Sequence, residues 1–84
     1  MKTELLAQYD TQNSFYKKAI VEIGKDCLIL WSYQTAVAEI RNGEARVFGT
    51  YSQTTLRHIK EFLKQNGFIA ETKEQILNDY WVQE

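Results

Sequence analysis

A basic stripe on a predicted helix is the first pattern in this sequence whose residue types suggest chemistry. Arg57, Lys60 and Lys64 recur at spacings of three and four, which places them on one helical face. Hydroxyl side chains stand at the start of the same helix, where backbone amides lack partners and favour anions. The pattern predicts a patch for a phosphate, a nucleic acid or an acidic partner, made of Ser52, Thr54, Thr55, Arg57, Lys60 and Lys64. The favoured alternative is a solvated helix face with an ion pair between Arg57 and Glu61.

Aromatic side chains near the ends of predicted strands form the second pattern. Trp and Tyr are enriched at protein interfaces and also stack on bases. Val37 and Phe48 would stand opposite each other on a sheet face that a helix need not cover. The candidate protein interface consists of Trp31, Tyr33, Val37, Phe48, Tyr80 and Trp81. Ordinary core and edge packing is the alternative for these residues.

The only histidine and the only cysteine, His58 and Cys27, are the remaining reactive side chains. A Cys/His pair needs hydrogen-bond contact and an orienting third group, which the sequence does not name. No metal-ligand spacing, phosphate-binding glycine loop or dinucleotide fingerprint occurs. We therefore predict a protein that is not an enzyme and uses no metal or cofactor, with catalysis by these two residues as a third and weaker alternative.

A predicted β-hairpin would position the strand residues among these candidates. The Asn-Gly pair at 42–43, between alternating apolar and polar residues, predicts a two-residue type I′ turn. The resulting register sets Glu39 opposite Arg46 and Arg41 opposite Glu44 on one face, with small residues on the other. We expect the apolar stripe of the following helix to lie on the small-residue face.

The predicted fold class is α+β, an antiparallel meander of three to four strands followed by two helices packed on the sheet. Ser52 and Thr72 have the residue types and spacing of helix N-caps. Ser32 opens a turn that we expect to be of type I. Residues 1–14 are expected to be frayed or to form a short helix. The predicted strands are Phe15 to Ile23, Cys27 to Ser32, Thr35 to Arg41 and Glu44 to Thr50, and the predicted helices are Gln53 to Gln65 and Lys73 to Val82.

Length and composition restrict the function classes. The 84 residues, 44% hydrophobic, allow a single domain over 1–84. A formal charge of −1 supplies no long-range field for capturing nucleic acid. The N-terminus lacks the apolar run of a signal peptide, and no segment is apolar enough to span a membrane. We therefore expect a cytoplasmic protein without membrane contact.

Two segments carry a resemblance to known proteins. SYQTAVAEI (Ser32 to Ile40) and YSQTTLRHIKEFLKQNGF (Tyr51 to Phe68) resemble short uncharacterised proteins of plasmids, phages and conjugative elements of Gram-positive bacteria. The resembling stretch, Trp31 to Phe68, covers a little under half of the chain. That group has no assigned activity, so the resemblance implies a genetic context rather than a mechanism.

These patterns lead to two functional expectations. The first is a non-enzymatic interaction module, an accessory protein of a bacterial mobile element that binds a protein partner or forms a homodimer. The second is a nucleic-acid-binding accessory protein that uses the basic face of the first helix.

Overall fold

The chain folds as an antiparallel meander followed by two helices, in a computed structural model that describes residues 1–11 and 14–82. The five strands lie side by side in chain order within one sheet. This confirms the α+β class, with five strands where three to four were predicted. The elements are β1 (Lys2–Glu4), β2 (Ala19–Ile23), β3 (Cys27–Ser32), β4 (Thr35–Arg41), β5 (Glu44–Val47), α1 (Gln53–Gln65) and α2 (Lys73–Tyr80).

The extra strand is β1, where the sequence predicted a frayed or short helical segment. That prediction was wrong for these residues, because β1 pairs with β2 in antiparallel register, with Thr3 opposite Val21. The Leu5 amide also donates to the Ala19 carbonyl at 2.9 Å, and the Leu5 side chain is buried. Three polar residues have no period-two pattern to reveal a strand, since the partner lies far along the chain.

The hairpin register is confirmed, with Glu39 opposite Arg46 and Arg41 opposite Glu44. The pairing between β3 and β4 shifts at Leu30/Trp31, so that an extra residue of β4 bulges out of the ladder. Both Val37 and Ala38 are consequently buried, although strict alternation would place them on opposite faces.

Both helices begin at the predicted caps. The Ser52 side chain accepts a hydrogen bond from the Thr55 amide, and the Thr72 side chain accepts one from the Gln75 amide. The α1 stripe shares one buried cluster with the core face of the sheet, and this stripe consists of Leu56, Ile59, Phe62 and Leu63. The second helix lies against β5, where the Val82 amide donates to the Val47 carbonyl at 3.0 Å. The second helix therefore lies at the β5 edge of the sheet.

The opposite sheet face is not covered by either helix in the part of the chain that is described. Directly paired residues share a face, and those on this one are half-buried or, for Arg46, exposed. We call it the open sheet face, and its central residues are Ile20, Glu22, Ile29, Trp31, Glu39 and Arg46.

Candidate functional site

A groove of about 470 Å³ lies at one end of the open sheet face. It runs between the start of β1, the chain entering β2, and the turn from β3 to β4. We call it the lysine groove, because three of its seven lining residues are lysines. Its lining is Lys2, Lys17, Lys18, Ile20, Trp31, Tyr33 and Gln34.

The first wall of the groove is a tight turn that ends at Lys18. The Lys18 amide donates to the Phe15 carbonyl at 2.9 Å, and the two central residues, Tyr16 and Lys17, have φ of 53° and 64°. The Ser14 hydroxyl supports the turn by accepting a hydrogen bond from the Tyr16 amide at 2.9 Å. This turn explains why β2 begins at Ala19 and not at the predicted Phe15.

The second wall is the turn between β3 and β4. Tyr33 and Gln34 have φ of 50° and 70°, and Ser32 pairs with Thr35 across them. Positive φ at both central residues is the mark of a type I′ turn, so the predicted type I turn is wrong. The twist of the flanking strands favours I′ even where neither residue is glycine. The Tyr33 amide donates to the Lys18 carbonyl at 2.9 Å, which links the two turns.

The floor of the groove contains an oriented tryptophan. The Trp31 indole Nε1 donates to Glu22 Oε1 at 2.9 Å, which fixes the ring on the open sheet face. Lys2 Nζ lies 5.1 Å from the centre of that ring. Lys18 Nζ lies 5.9 Å from the ring centre of Tyr33. Each aromatic ring of the groove therefore has an ammonium group beside it.

The groove has more positive than negative side chains, since its three lysines have two carboxylates nearby: Glu22 is opposite Lys2, and Glu4 accepts a hydrogen bond from the Lys17 amide at 3.2 Å. Of the ion pairs formed by residues 1–11 and 14–82, none involves Lys2, Lys17 or Lys18. Glu22 accepts a hydrogen bond from the indole of Trp31 and forms no ion pair with Lys2, which lies opposite it in the sheet. The groove therefore has a local excess of positive charge, although the whole chain has a net charge of −1.

The predicted protein interface is only partly assembled. Trp31 and Tyr33 both line the lysine groove. Val37 is 1% exposed, so its assignment to an exposed face was wrong, because the bulge in β4 turns it into the core. Phe48 follows β5 and is 41% exposed, and its amide donates to the Val37 carbonyl.

The two aromatic residues at the end of α2 are separate from the groove. The Tyr80 hydroxyl donates to the Ile69 carbonyl at 2.9 Å, and its ring meets Phe68 edge to face. Burial raises the pKa of Tyr80, as does the charge of Asp79. Trp81 pairs with Val47 at the β5 edge. These residues serve the packing of α2, which was the alternative considered for them.

The predicted anion patch on α1 is covered in part by the N-terminal segment. Arg57 donates to both carboxylate oxygens of Asp10, with Nε to Oδ2 at 3.0 Å, and this pairing raises the pKa of Arg57. Lys64 lies 3.9 Å from Glu71. Lys60 and Lys64 line a second groove of about 280 Å³ together with Arg57.

The three hydroxyl residues of the predicted patch lie in different environments. Ser52 acts as the cap of α1, and Thr54 is exposed. Thr55 is buried and points inward, where its hydroxyl lies 3.0 Å from that of Ser32, so its place in an anion patch was wrong. The Thr55 hydroxyl can be buried among apolar side chains because the Ser32 hydroxyl supplies the hydrogen-bond partner that a buried polar group requires.

The predicted Arg57 to Glu61 pair does not form. Glu61 is 1% exposed and accepts hydrogen bonds from the amides of Tyr9 and Asp10, at 2.8 and 3.1 Å. Gln65 Nε2 donates to its other oxygen at 2.6 Å. A buried carboxylate therefore fastens the segment after β1 onto α1.

His58 belongs to a buried polar cluster. Its Nδ1 lies 2.8 Å from the Ser32 hydroxyl, and its ring contacts Phe15 edge to face and Tyr33 by stacking. Burial lowers the pKa of His58, and the opposed charges of Asp10 and Arg57 act in opposite directions on it. A serine bonded to a histidine is the arrangement of an activated nucleophile. Here Ser32 and His58 are 2% and 1% exposed, so a substrate cannot reach them in this conformation.

Cys27 is not brought to this histidine. It begins β3, whereas Ser32 ends the strand, and five residues of strand span about 16 Å. Among the described residues, no group of three or more His, Cys, Asp or Glu side chains is arranged to hold a metal ion. None of the described helices has the length and apolar character to cross a membrane.

In the comparison with protein families, residues 3–78 match a family of unknown function, DUF8033. The chain belongs to the DUF8033 family. Most of the lysine groove lies within the matched DUF8033 segment, and only Lys2 falls one residue outside it. Neither the comparison with curated proteins nor that with solved structures gives a match.

Sequence reasoning missed the lysines of the groove. Lys17 and Lys18 were placed inside a predicted strand, where neighbours would point to opposite faces. The signal that could have found them is the repeated order of a tyrosine followed by polar residues, Tyr16-Lys17 and Tyr33-Gln34, before two neighbouring strands. Lys2 was missed because β1 was missed.

Proposed function

We propose that the protein is a non-enzymatic interaction module that binds a macromolecular partner through the open sheet face and the lysine groove. The observation that carries this proposal is a half-exposed row of apolar side chains on a face that neither helix covers, Ile20, Ile29 and Trp31. The resemblance to proteins of mobile elements supports a role as an accessory protein of such an element, acting in the cytoplasm.

A protein partner, including a second copy of the chain, is the first candidate. Ile29 lies between Glu22 and Glu39 in the pairing of the sheet, and Arg46 follows next to Glu39. An apolar centre bordered by charged side chains is the usual composition of a protein interface. Phe48, which directly follows β5, is another exposed apolar side chain at this sheet.

The experiment compares Ile29→Lys with a matched control, Ile69→Lys. Both change an accessible isoleucine into lysine, but Ile69 lies between the helices and is 67% exposed. Because Glu22 and Glu39 flank position 29, a lysine there gains opposite charges and the fold should be kept. Sedimentation velocity at about 1 to 100 μM measures self-association, and cross-linking to purified candidate proteins measures binding of another partner.

We expect Ile29→Lys to abolish the complex and Ile69→Lys to retain it. A truncated apolar contact at the centre of an interface typically costs about 2 kcal/mol, which weakens binding about 30-fold. Complexes that form equally well with both variants would show that the open sheet face is not the protein-binding surface.

Binding of nucleic acid is the second candidate. On α1, Lys60 and Lys64 remain near the surface, but Asp10 occupies Arg57 and Thr55 is turned inward. The lysine groove instead combines three lysines with two aromatic rings. The candidate function is therefore supported more strongly at the groove than at the helix face on which it was predicted.

A further inference from the structure

We propose that the lysine groove is a binding site for single-stranded nucleic acid. In this proposal Trp31 and Tyr33 stack on bases, while Lys2, Lys17 and Lys18 neutralise the phosphates that connect them. The inference rests on the second candidate above and names both the site and the class of nucleic acid.

The charge of the groove is the first observation. Three ammonium groups line one surface, and none is used in an ion pair among the described residues. A phosphate backbone presents negative charges in a row, so neighbouring phosphates can contact neighbouring lysines. Two of the three lysines, Lys17 and Lys18, are consecutive and are fixed by the same tight turn.

The aromatic rings are the second observation, and they distinguish nucleic acid from an acidic peptide. The lysines Lys2 and Lys18 lie beside the rings of Trp31 and Tyr33 at 5.1 and 5.9 Å from the ring centres. An exposed contact of this kind is weaker than the stacking of a base on the same ring. A base of a nucleic acid can therefore displace the lysine from the ring, while a neighbouring phosphate binds the displaced ammonium group. An acidic peptide offers the negative charge but no base to stack on the ring.

The groove should prefer single-stranded nucleic acid to a duplex, because only a single strand has accessible base faces. In a duplex the base faces are stacked on one another and only their edges are open, so aromatic side chains cannot stack on them. Trp31 is held with its indole N–H on Glu22, which keeps the ring in a fixed position on the open sheet face. Tyr33 is stacked on His58 at 5.8 Å between ring centres, so its ring is also supported from below.

The backbone of the two turns is the third observation. Four residues without glycine's freedom, Tyr16, Lys17, Tyr33 and Gln34, take the left-handed conformation in neighbouring turns. Glycine and asparagine are the residues that such turns prefer. Three of the four side chains line the groove. Strained backbone conformations of this kind are concentrated at active sites and ligand-binding sites.

The experiment titrates the protein with an oligothymidylate of about ten nucleotides, long enough to cover a single binding site. It uses a Trp81→Phe background, so that Trp31 is the only tryptophan and reports stacking by quenching of its fluorescence. We expect saturable quenching. The affinity obtained from it should decrease about 20-fold between 50 and 200 mM salt, as expected for three phosphate contacts on a single strand.

Two double variants with the same change of charge locate the site. Lys17→Ala with Lys18→Ala should weaken binding about tenfold or more at low salt and reduce the slope of log affinity against log salt by about 1.4. Lys60→Ala with Lys64→Ala, on the helix face, should change affinity by less than about twofold. Circular dichroism of both variants checks that they are folded.

Two further probes test the role of the bases. An abasic oligonucleotide of the same length keeps the phosphates, and polyglutamate supplies charge on a peptide. Both should bind at least about tenfold more weakly than oligothymidylate, since stacking is lost. Equal binding of either probe, equal loss in both double variants, or no quenching at 50 mM salt would overturn the inference. If oligothymidylate does not bind while Ile29→Lys still abolishes a protein complex, the inference fails and the proposed interaction module stands.

Discussion

At the scale of single residues, the four left-handed residues of the two turns are the least expected feature. Their local sequences lack the glycine that normally marks such turns, so no sequence rule identified Tyr16, Lys17, Tyr33 or Gln34 as left-handed. In contrast, Asn42 and Gly43, with the usual residue types, were recognised in advance. For Tyr33 and Gln34 the reason is physical, because the twist of the paired strands β3 and β4 favours a type I′ turn even without glycine.

Gln34→Gly should stabilise the protein. Gln34 is exposed at φ 70°, where glycine avoids steric strain of about 1 to 2 kcal/mol but loses about 0.4 to 1 kcal/mol through the more flexible unfolded chain. We expect a net gain of about 0.5 to 1 kcal/mol in the free energy of unfolding, measured in urea. The control is Thr35→Gly at the first residue of β4, which should destabilise. A loss of stability in Gln34→Gly would contradict the strain.

At the scale of elements, a buried carboxylate helps to hold the segment after β1 on α1, beside the pair of Arg57 with Asp10. Glu61 accepts two backbone amides from Tyr9 and Asp10, and Gln65 connects the same carboxylate to the Leu6 carbonyl at 2.6 Å. Loss of this buried acceptor leaves partly buried donors without partners, which costs about 1 to 3 kcal/mol.

Glu61→Ala should therefore release this segment from α1 and destabilise the protein by about 2 to 3 kcal/mol. Hydrogen exchange should accelerate at the amides of Tyr9 and Asp10, while the hairpin of β4 and β5 keeps its protection. Glu74→Ala, an exposed carboxylate on α2, is the matched control and should change stability by less than about 0.5 kcal/mol. Unchanged exchange at Tyr9 in Glu61→Ala would exclude this role.

The elements also show what the sequence can and cannot predict. The bounds of β3, β4 and α1 agree with the structure because local signals, an Asn-Gly turn and a serine cap, set them. The position of β1 and the burial of Val37 depend on pairing with distant strands, which leaves no local pattern. For the candidate site, Trp31 and Tyr33 were identified from residue type, whereas their lysine neighbours required the tertiary arrangement.

At the scale of the whole molecule, folding buries His58 in its neutral form. Its folded pKa lies below the unfolded value of about 6.5 because burial disfavours the charged ring. The unfolded chain therefore takes up a proton first as pH falls. Stability is fully present above about pH 6.5 and decreases below it, until the folded state also binds the proton.

The test is the free energy of unfolding between about pH 5 and 7.5, in wild type and in His58→Gln. We expect wild-type stability to fall toward acid by at most about 1.4 kcal/mol per pH unit, and the variant to show a smaller slope. Because the slopes are compared within each protein, a general loss of stability in the variant does not obscure the result. Parallel pH profiles would show that His58 does not control the dependence.

The attachment of Val82 to β5 has a consequence for how the protein behaves at high concentration. An edge strand with free amides and carbonyls can recruit another chain and grow into an aggregate. On the β5 side, Val82 and the neighbouring Trp81 already occupy the backbone at Val47. On the other side, β1 is only three residues long and includes a lysine, two features that discourage strand addition. The sheet is therefore poorly suited to polymerise edge to edge.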